Sequence, residues 1–203
     1  MPVIGVPIKP FGVAKARLSG VVDAAARSRL GMAIAAHTVS ELSAADVPVV
    51  VVTGDADVAA WAKSLGHEPI DEAAGDGTGL NAAGSAVARH AARMSEPWLL
   101  VHADLPMLRA ADIPAMLTAA ADEGVIAPSH DGGTNVIGGT GPGFRFQYGH
   151  GSFAKHLGLM PRAEVLVTPE LAYDLDTPDD LRLILSHPRG MWIADLVPAQ
   201  ASR

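Results

Sequence analysis

The chain has 203 residues, with 15 basic against 22 acidic side chains, a net charge of −7, 49% apolar residues and no cysteine. Those values favour a single domain spanning 1–203 and exclude disulfides, thiolate metal sites and a cysteine nucleophile. No apolar run reaches the ~18 residues of a membrane span, the basic residues form no stripe for gripping nucleic acid, and MPVIGVPIKPFG lacks the layout of a secretion signal; a cytoplasmic protein is expected.

In chain order, strand and helix alternate. Val3 to Ile8 is a short β-branched run stopped by Lys9-Pro10, and Asp23 is placed to cap a long alanine-rich helix reaching about Leu42, with Leu30, Ile34 and Leu42 on one side. Val47 to Thr53 (VPVVVVT) is the clearest strand; an unbroken run of this kind fits a parallel strand buried on both faces. Val58, Trp61, Ala62 and Leu65 follow the spacing of an amphipathic helix. Glu68 to Asp71 predicts a strand, Leu80 to Met94 a helix and Trp98 to His102 a strand. Ile113, Met116, Leu117 and Ala120 predict a further helix, and Val125 to Ala127 another strand.

After that the rhythm changes. Residues 131–152 (DGGTNVIGGTGPGFRFQYGHGS) are rich in glycine and read as an insertion of loop and short strand. Val165 to Thr168 and Leu171 to Leu175 are expected as short strands. Thr177, Pro178 and Asp180 spell the start of a final helix with a capping box. The pattern predicts a three-layer α/β/α domain, mostly parallel in its central sheet, with a glycine-rich β insertion in the second half.

In such sheets ligands bind beyond the carboxyl ends of the strands, so the polar residues just after each strand are the candidates. They are Lys9, Lys15 and Arg17 after the first strand, Asp71 and the Gly75–Asn81 segment after the third, and Asp104 after the fourth. Ser129 to Asn135 follow the fifth, and Asp174 and Asp176 lie near the end. Asp104, Asp174 and Asp176 suit Mg²⁺, which takes one or two protein carboxylates together with phosphate oxygens and water. An Asp before a loop is also an ordinary turn residue, and Asp176 beside a helix N-terminus is favoured by the dipole alone. Lys15 and Arg17 can clamp a triphosphate. Gly77-Thr78-Gly79-Leu80-Asn81 opens a helix whose N–H groups can meet a phosphate or base edge. The glycines of DGGTN and YGHGSF can gather backbone amides around an anion, with Thr134 and Ser152 adding hydroxyls; a flexible hairpin explains the same glycines. Walker, dinucleotide-fingerprint, H-E-x-x-H and G-x-S-x-G patterns are all absent. Nucleotidyl transfer needs none of them, because an ionised oxygen attacks and only positioning and charge neutralisation are required.

Taken together, KPFGVAKARL, GTGLNAA, HADLP, PSHDGGTN, FQYGHGSFAKH and DLDTPDDL resemble the phosphoenolpyruvate/2-phospholactate guanylyltransferase family of coenzyme F-420 biosynthesis, over nearly the whole chain. HADLP and DLDTPDDL recur in the wider molybdenum-cofactor-type nucleotidyltransferase superfamily. The resemblance implies a Rossmann-like GT-A type fold, GTP, Mg²⁺ and a three-carbon phosphoacid acceptor. Carried over by position, Asp104 and Asp174 match metal-holding aspartates, with Asp176 beside them. Thr134, Gly149 and Ser152 fall where the family holds the phosphoacid. Lys15 and Arg17, with Lys9 in the same loop, would face the triphosphate, and Gly79, Leu80 and Asn81 the guanosine. His102 departs from the pattern, standing where an acid is expected in some relatives. Phosphoenolpyruvate is the first expectation for the acceptor, with 2-phospholactate and 3-phosphoglycerate open. A transferase using CTP or a molybdopterin acceptor, and a non-catalytic nucleotide-sensing module, are the competing readings. The tail MWIADLV is apolar enough to pack on the body or on a second copy in a homodimer.

Overall fold

The structure is a computed structural model and describes residues 1–13 and 15–197; the last six positions of the expected domain lie outside the described residues. In chain order the elements are β1 (Val3–Pro7), α1 (Ala24–Ser43), β2 (Val49–Val52), α2 (Ala56–Ser64), β3 (Glu68–Ile70), α3 (Leu80–Arg93) and β4 (Trp98–Val101). Then follow α4 (Ile113–Ala121), β5 (Val125–Pro128), β6 (Thr134–Gly139), α5 (Ser152–Leu159), β7 (Glu164–Val165), α6 (Pro169–Ala172) and α7 (Pro178–Ser186). The strands form one seven-stranded sheet in the order β3-β2-β1-β4-β6-β5-β7. Its pairs are parallel except those made by β6, which runs antiparallel to both β4 and β5.

Local sequence explains most of these boundaries. Asp23 caps α1 by accepting from Ala26 N–H at 2.8 Å, and Asp55 caps α2 through Val58 N–H at 2.9 Å. The expected strand at Val47 starts at Val49, because Pro48 has no N–H to give a ladder. All four valines of β2 are buried, each worth on the order of 1.5–3 kcal/mol against exposure.

Helices cover both faces, giving the expected three layers. On one face α1, α2 and α4 pack Val39, Leu42, Val58, Ala62, Ile113 and Met116 against Ile4, Val51 and Leu99. On the other, α3 lays Ala83, Val87 and Ala91 on Val3, Val50 and Leu100. A further cluster joins the outer side of α1 (Leu30, Ile34) to Leu181 and Ile184 of α7 and to Ile193. The apolar tail therefore packs on the body: Trp192 Nε1 donates to the Pro106 carbonyl at 2.9 Å. Among the described residues, no helix is long and apolar enough to cross a membrane.

Three expectations need correction. Within 131–152 lies β6, a fully buried six-residue strand in the middle of the sheet. The short strand expected there is thus part of the main sheet and not of an insertion, and packing demands its glycines: a Cβ at Gly138 would sit 2.7 Å from Leu99 Cδ1. Downstream of that loop, Ser152–Leu159 is helical. The strand expected over Val165–Thr168 is Glu164–Val165, and Leu171 belongs to the short helix α6, not to a strand. Pro169 sits in the first turn of α6, where its missing N–H costs nothing and its fixed φ suits the helix.

Candidate active site

A cleft of about 640 Å³ opens at the carboxyl ends of the parallel strands, where this class of sheet is expected to bind ligands. Lys9, Lys15, Arg17, Gly79, Leu80, Asp104, Thr134, Gly149, Ser152, Asp174 and Asp176 all line it. Of the residues singled out from sequence, Asp71 and residues 75–78 do not line it, and Asn81 also stands apart. Its side-chain oxygen accepts from the Tyr148 N–H at 2.8 Å, tying the loop before α5 to the start of α3.

The acidic group is assembled from two segments far apart in sequence. Asp104 leaves β4 one turn after His102, whose N–H bonds the Asn135 carbonyl at 2.9 Å, and the Asp104 carbonyl takes Leu175 N–H at 3.1 Å. That last bond carries Asp174 and Asp176 to Asp104 on either side of the buried Leu175. One carboxylate oxygen from each of the three lies within 4.8 Å of the others. Asn135 steadies the group by donating from Nδ2 to Asp174 Oδ1 at 3.1 Å and to the Leu171 carbonyl at 3.0 Å. Asp176 is free of capping duty, because Thr177 caps α7 and Asp180 completes the box, accepting from Asp176 N–H and Thr177 N–H at 3.1 and 2.7 Å.

Cations flank the carboxylates. Lys15 Nζ lies 2.7 Å from Asp104 Oδ2 and 3.6 Å from Asp176 Oδ1, and Arg17 reaches Asp176 Oδ2 at 3.5 Å. These charges sort the acidities. Burial pushes the Asp104 carboxyl up, but the Lys15 ammonium and its hydrogen bond outweigh it and hold it below the usual carboxylate range. Asp174 has no such partner: burial, then the Asp104 charge, pushes it up to about 6. Burial also raises Asp176, with Lys15 pulling the other way. His102 is depressed by burial, so its ring is neutral, and the site lacks the negative charge that an acid at this position would bring.

The three-carboxylate set passes a test for a hard divalent cation. Its donors are all oxygen, as Mg²⁺ prefers, and Asp104 Oδ1 is buried with no hydrogen-bond partner among the described residues. Such an orphaned carboxylate oxygen is unfavourable unless a cation or donor meets it.

The far wall comes from the reversed strand and the glycine loop. Thr134, the first residue of β6, and Ser152, the first of α5, are each 2% exposed, and their hydroxyls are 3.2 Å apart. Gly149 holds the turn before α5 at φ 126°, a conformation confined in practice to glycine, and its carbonyl accepts Ser152 N–H at 3.1 Å. On the opposite side, Gly79 precedes α3 at φ 56°, and Leu80 and Glu72 complete that end.

Asn135 and His156 were not foreseen in these roles. Asn135 was visible only within the stretch DGGTN, and its partner Asp174 is 39 residues away. His156 is wholly buried beneath Thr134, 3.0 Å from its hydroxyl. Its spacing of four from Ser152 on a helix, which puts both on one face, was the available signal, once the segment is known to be helical.

The chain is similar to known proteins over nearly its whole length. The family described as "Guanylyl transferase CofC like" matches residues 1–196. A phosphoenolpyruvate guanylyltransferase of Streptomyces scabiei is 35% identical over 210 residues, covering 98% of this chain and 94% of the relative. One of Rubrobacter xylanophilus is 36% identical over 186 residues, covering 87% and 89%. Among solved structures, a protein of Desulfovibrio desulfuricans G20 titled a nucleotide-diphospho-sugar transferase superposes with a TM-score of 0.74. It is 20% identical and the match covers 96% of this chain and 95% of that one, a likeness of fold.

Proposed function

The chain belongs to the CofC-like guanylyl transferase family, and from that premise we propose that it transfers GMP from GTP to phosphoenolpyruvate, with release of pyrophosphate, as a step of coenzyme F-420 biosynthesis. The observation that carries this reading is the meeting of Asp104, Asp174 and Asp176 with Lys15 at one edge of the sheet.

Asp104, Asp174 and Asp176 would hold Mg²⁺, which when bound supplies positive charge against the phosphates and the transferring phosphorus. The chain's own residues do the rest. Lys15 and Arg17 stand beside the carboxylates and neutralise triphosphate oxygens, Arg17 with the geometry to bind two at once. Lys9 adds charge at the same mouth. Gly79 and Leu80 receive the guanosine at the head of α3. Thr134 and Ser152 form the wall against the phosphate of the acid, Ser152 giving its hydroxyl proton and Gly149 an unhindered backbone.

The acid's ionised phosphate oxygen forms a bond to the α-phosphorus of GTP, the bond from that phosphorus to the β-phosphate oxygen breaks, and pyrophosphate leaves. No proton has to move, so the neutral His102 is not required as a base. Catalysis rests on holding two anions together and on charge placed where it develops.

The test is incubation of the purified protein and Mg²⁺ with each of the four nucleoside triphosphates against phosphoenolpyruvate, 2-phospholactate and 3-phosphoglycerate, scoring pyrophosphate. Release with GTP and phosphoenolpyruvate is expected. Release with CTP alone would move the protein to the cytidylyl reading, and silence with every pair would leave a nucleotide-sensing module.

A further inference from the structure

The buried histidine under the acceptor wall has a defined protonation pattern, and that pattern reaches the cleft. The Gln147 backbone N–H donates to His156 Nε2 at 2.9 Å. A ring nitrogen that accepts carries no proton, so the neutral ring keeps its proton on Nδ1. Nδ1 is 3.0 Å from Thr134 Oγ1 and must therefore donate to it. The Thr134 hydroxyl has one other partner, Ser152 Oγ at 3.2 Å, so its proton turns there. Ser152 Oγ, already accepting, has its own proton left, and the cleft is the side it lines.

The ring is held neutral by its surroundings. Phe144, Phe146 and Tyr148 pack round it with centroids 6.0, 6.5 and 4.9 Å away, and burial drives its pKa down to about 4. A protonated ring would set N–H against the Gln147 N–H and break the row at its first link.

We propose that His156 is a positioning residue which, through Thr134, orients the Ser152 hydroxyl as a donor to the acceptor's phosphate oxygen. The proposal rests on the reading of Thr134 and Ser152 as the acceptor's binding residues. A row polarised from a backbone amide presents an O–H to the cleft before substrate arrives, and this preorganisation favours an anionic oxygen over a neutral hydroxyl.

The test uses the full chain with GTP, Mg²⁺ and phosphoenolpyruvate. His156→Leu keeps apolar bulk and removes both nitrogens; the KM for phosphoenolpyruvate should rise about tenfold, the scale of one well-placed hydrogen bond, with kcat and the GTP KM nearly unchanged. His156→Asn, whose amide can donate from the Nδ1 position, should recover most of that loss. In a double-mutant cycle, adding His156→Leu to Ser152→Ala should change nothing further, because the row then ends before the cleft. Additive effects, or equal rises in the KM for both substrates, overturn the proposal. Where His156→Leu does not fold, His156→Asp, which places an acceptor opposite Thr134, takes its place in the same cycle. A readout independent of turnover is the ¹⁵N spectrum of the wild-type ring at pH 7: an Nδ1–H tautomer is expected, and an Nε2–H tautomer overturns the proposal. Silence of the wild-type protein with every acceptor would sink the functional reading instead, whereas an active enzyme with additive variants sinks the positioning role alone.

Discussion

Lys15 Nζ lies 2.7 Å from Asp104 Oδ2, joining the loop after the first strand to the carboxylate at the end of the fourth. The same ammonium is 3.6 Å from Asp176, and its side chain is only 7% exposed. Lys15 reaches this position from a left-handed backbone, φ 57°, uncommon for a residue with a side chain. A cation inside a carboxylate cluster has two opposed effects: it steadies the apo site, and it competes with any divalent ion that the cluster binds.

Lys15→Met should therefore separate metal affinity from turnover. Without nucleotide, the variant is expected to bind Mn²⁺ more tightly than the wild type, on the order of tenfold given the charge removed at contact distance. Its turnover should fall by about a hundredfold or more, as when a charge-stabilising group is lost from a transferase site. Calorimetry with Mn²⁺ and a pyrophosphate assay read the two; weaker Mn²⁺ binding would show that Lys15 does not oppose the ion.

Asp104→Asn should lower kcat by about a hundredfold or more while leaving the far-ultraviolet circular dichroism unchanged. The carbonyl of residue 104, which takes Leu175 N–H, survives the substitution. Retained turnover would remove Asp104 from the chemistry.

Asp174→Asn is expected to stabilise the fold while destroying activity. Burial and the Asp104 charge raise Asp174 to about 6, above the ~3.9 of a free carboxylate. A group with a raised folded pKa favours the native state fully below its unfolded value, and that contribution is lost as pH climbs through the folded one. With EDTA present, the variant should exceed the wild type by about 1–3 kcal/mol at pH 7.5. The gap should open between about pH 4 and 6.5 and be nearly closed at pH 4. Urea midpoints across pH measure it; a wild type that is the more stable at pH 7.5 would refute the assigned penalty.

Gly84→Ala should disturb the acceptor wall from a distance. A Cβ there would lie 2.7 Å from the Phe146 ring, and α3 cannot retreat because Ala83 and Val87 pack on the sheet. Destabilisation of about 1–3 kcal/mol is expected from overpacking, together with a KM rise for phosphoenolpyruvate that exceeds the rise for GTP. Equal KM effects would mean that the aromatic loop serves both substrates alike.

Elements whose signals are local were legible in the sequence. The capping box of Thr177 and Asp180, the valine run of β2 and the glycine-led start of α3 depend on neighbours a few residues away. Asp104 and Asp174 were legible for a second reason: topology sends residues near strand ends to one edge, although the strand expected over Leu171 to Leu175 begins in fact inside α6. The strand β6 was expected only as a short strand of an insertion, because its glycines answer to Trp98 and Leu99 across the sheet, a constraint that composition cannot display. The roles of Asn135 and His156 were hidden likewise, since each is defined by a partner remote in sequence.

The antiparallel course of β6 has a consequence for how such enzymes diversify. Parallel strands offer their ends to the cleft, whereas β6 offers its beginning, so Thr134, the glycine loop and Ser152 form one uninterrupted stretch that returns to the same wall. In the proposed reaction, the acceptor would then be held by a single exchangeable cassette, and the nucleotide by the strands on the other side. Swapping that cassette between relatives offers a route to new acceptors in which the machinery for activating the triphosphate is inherited intact.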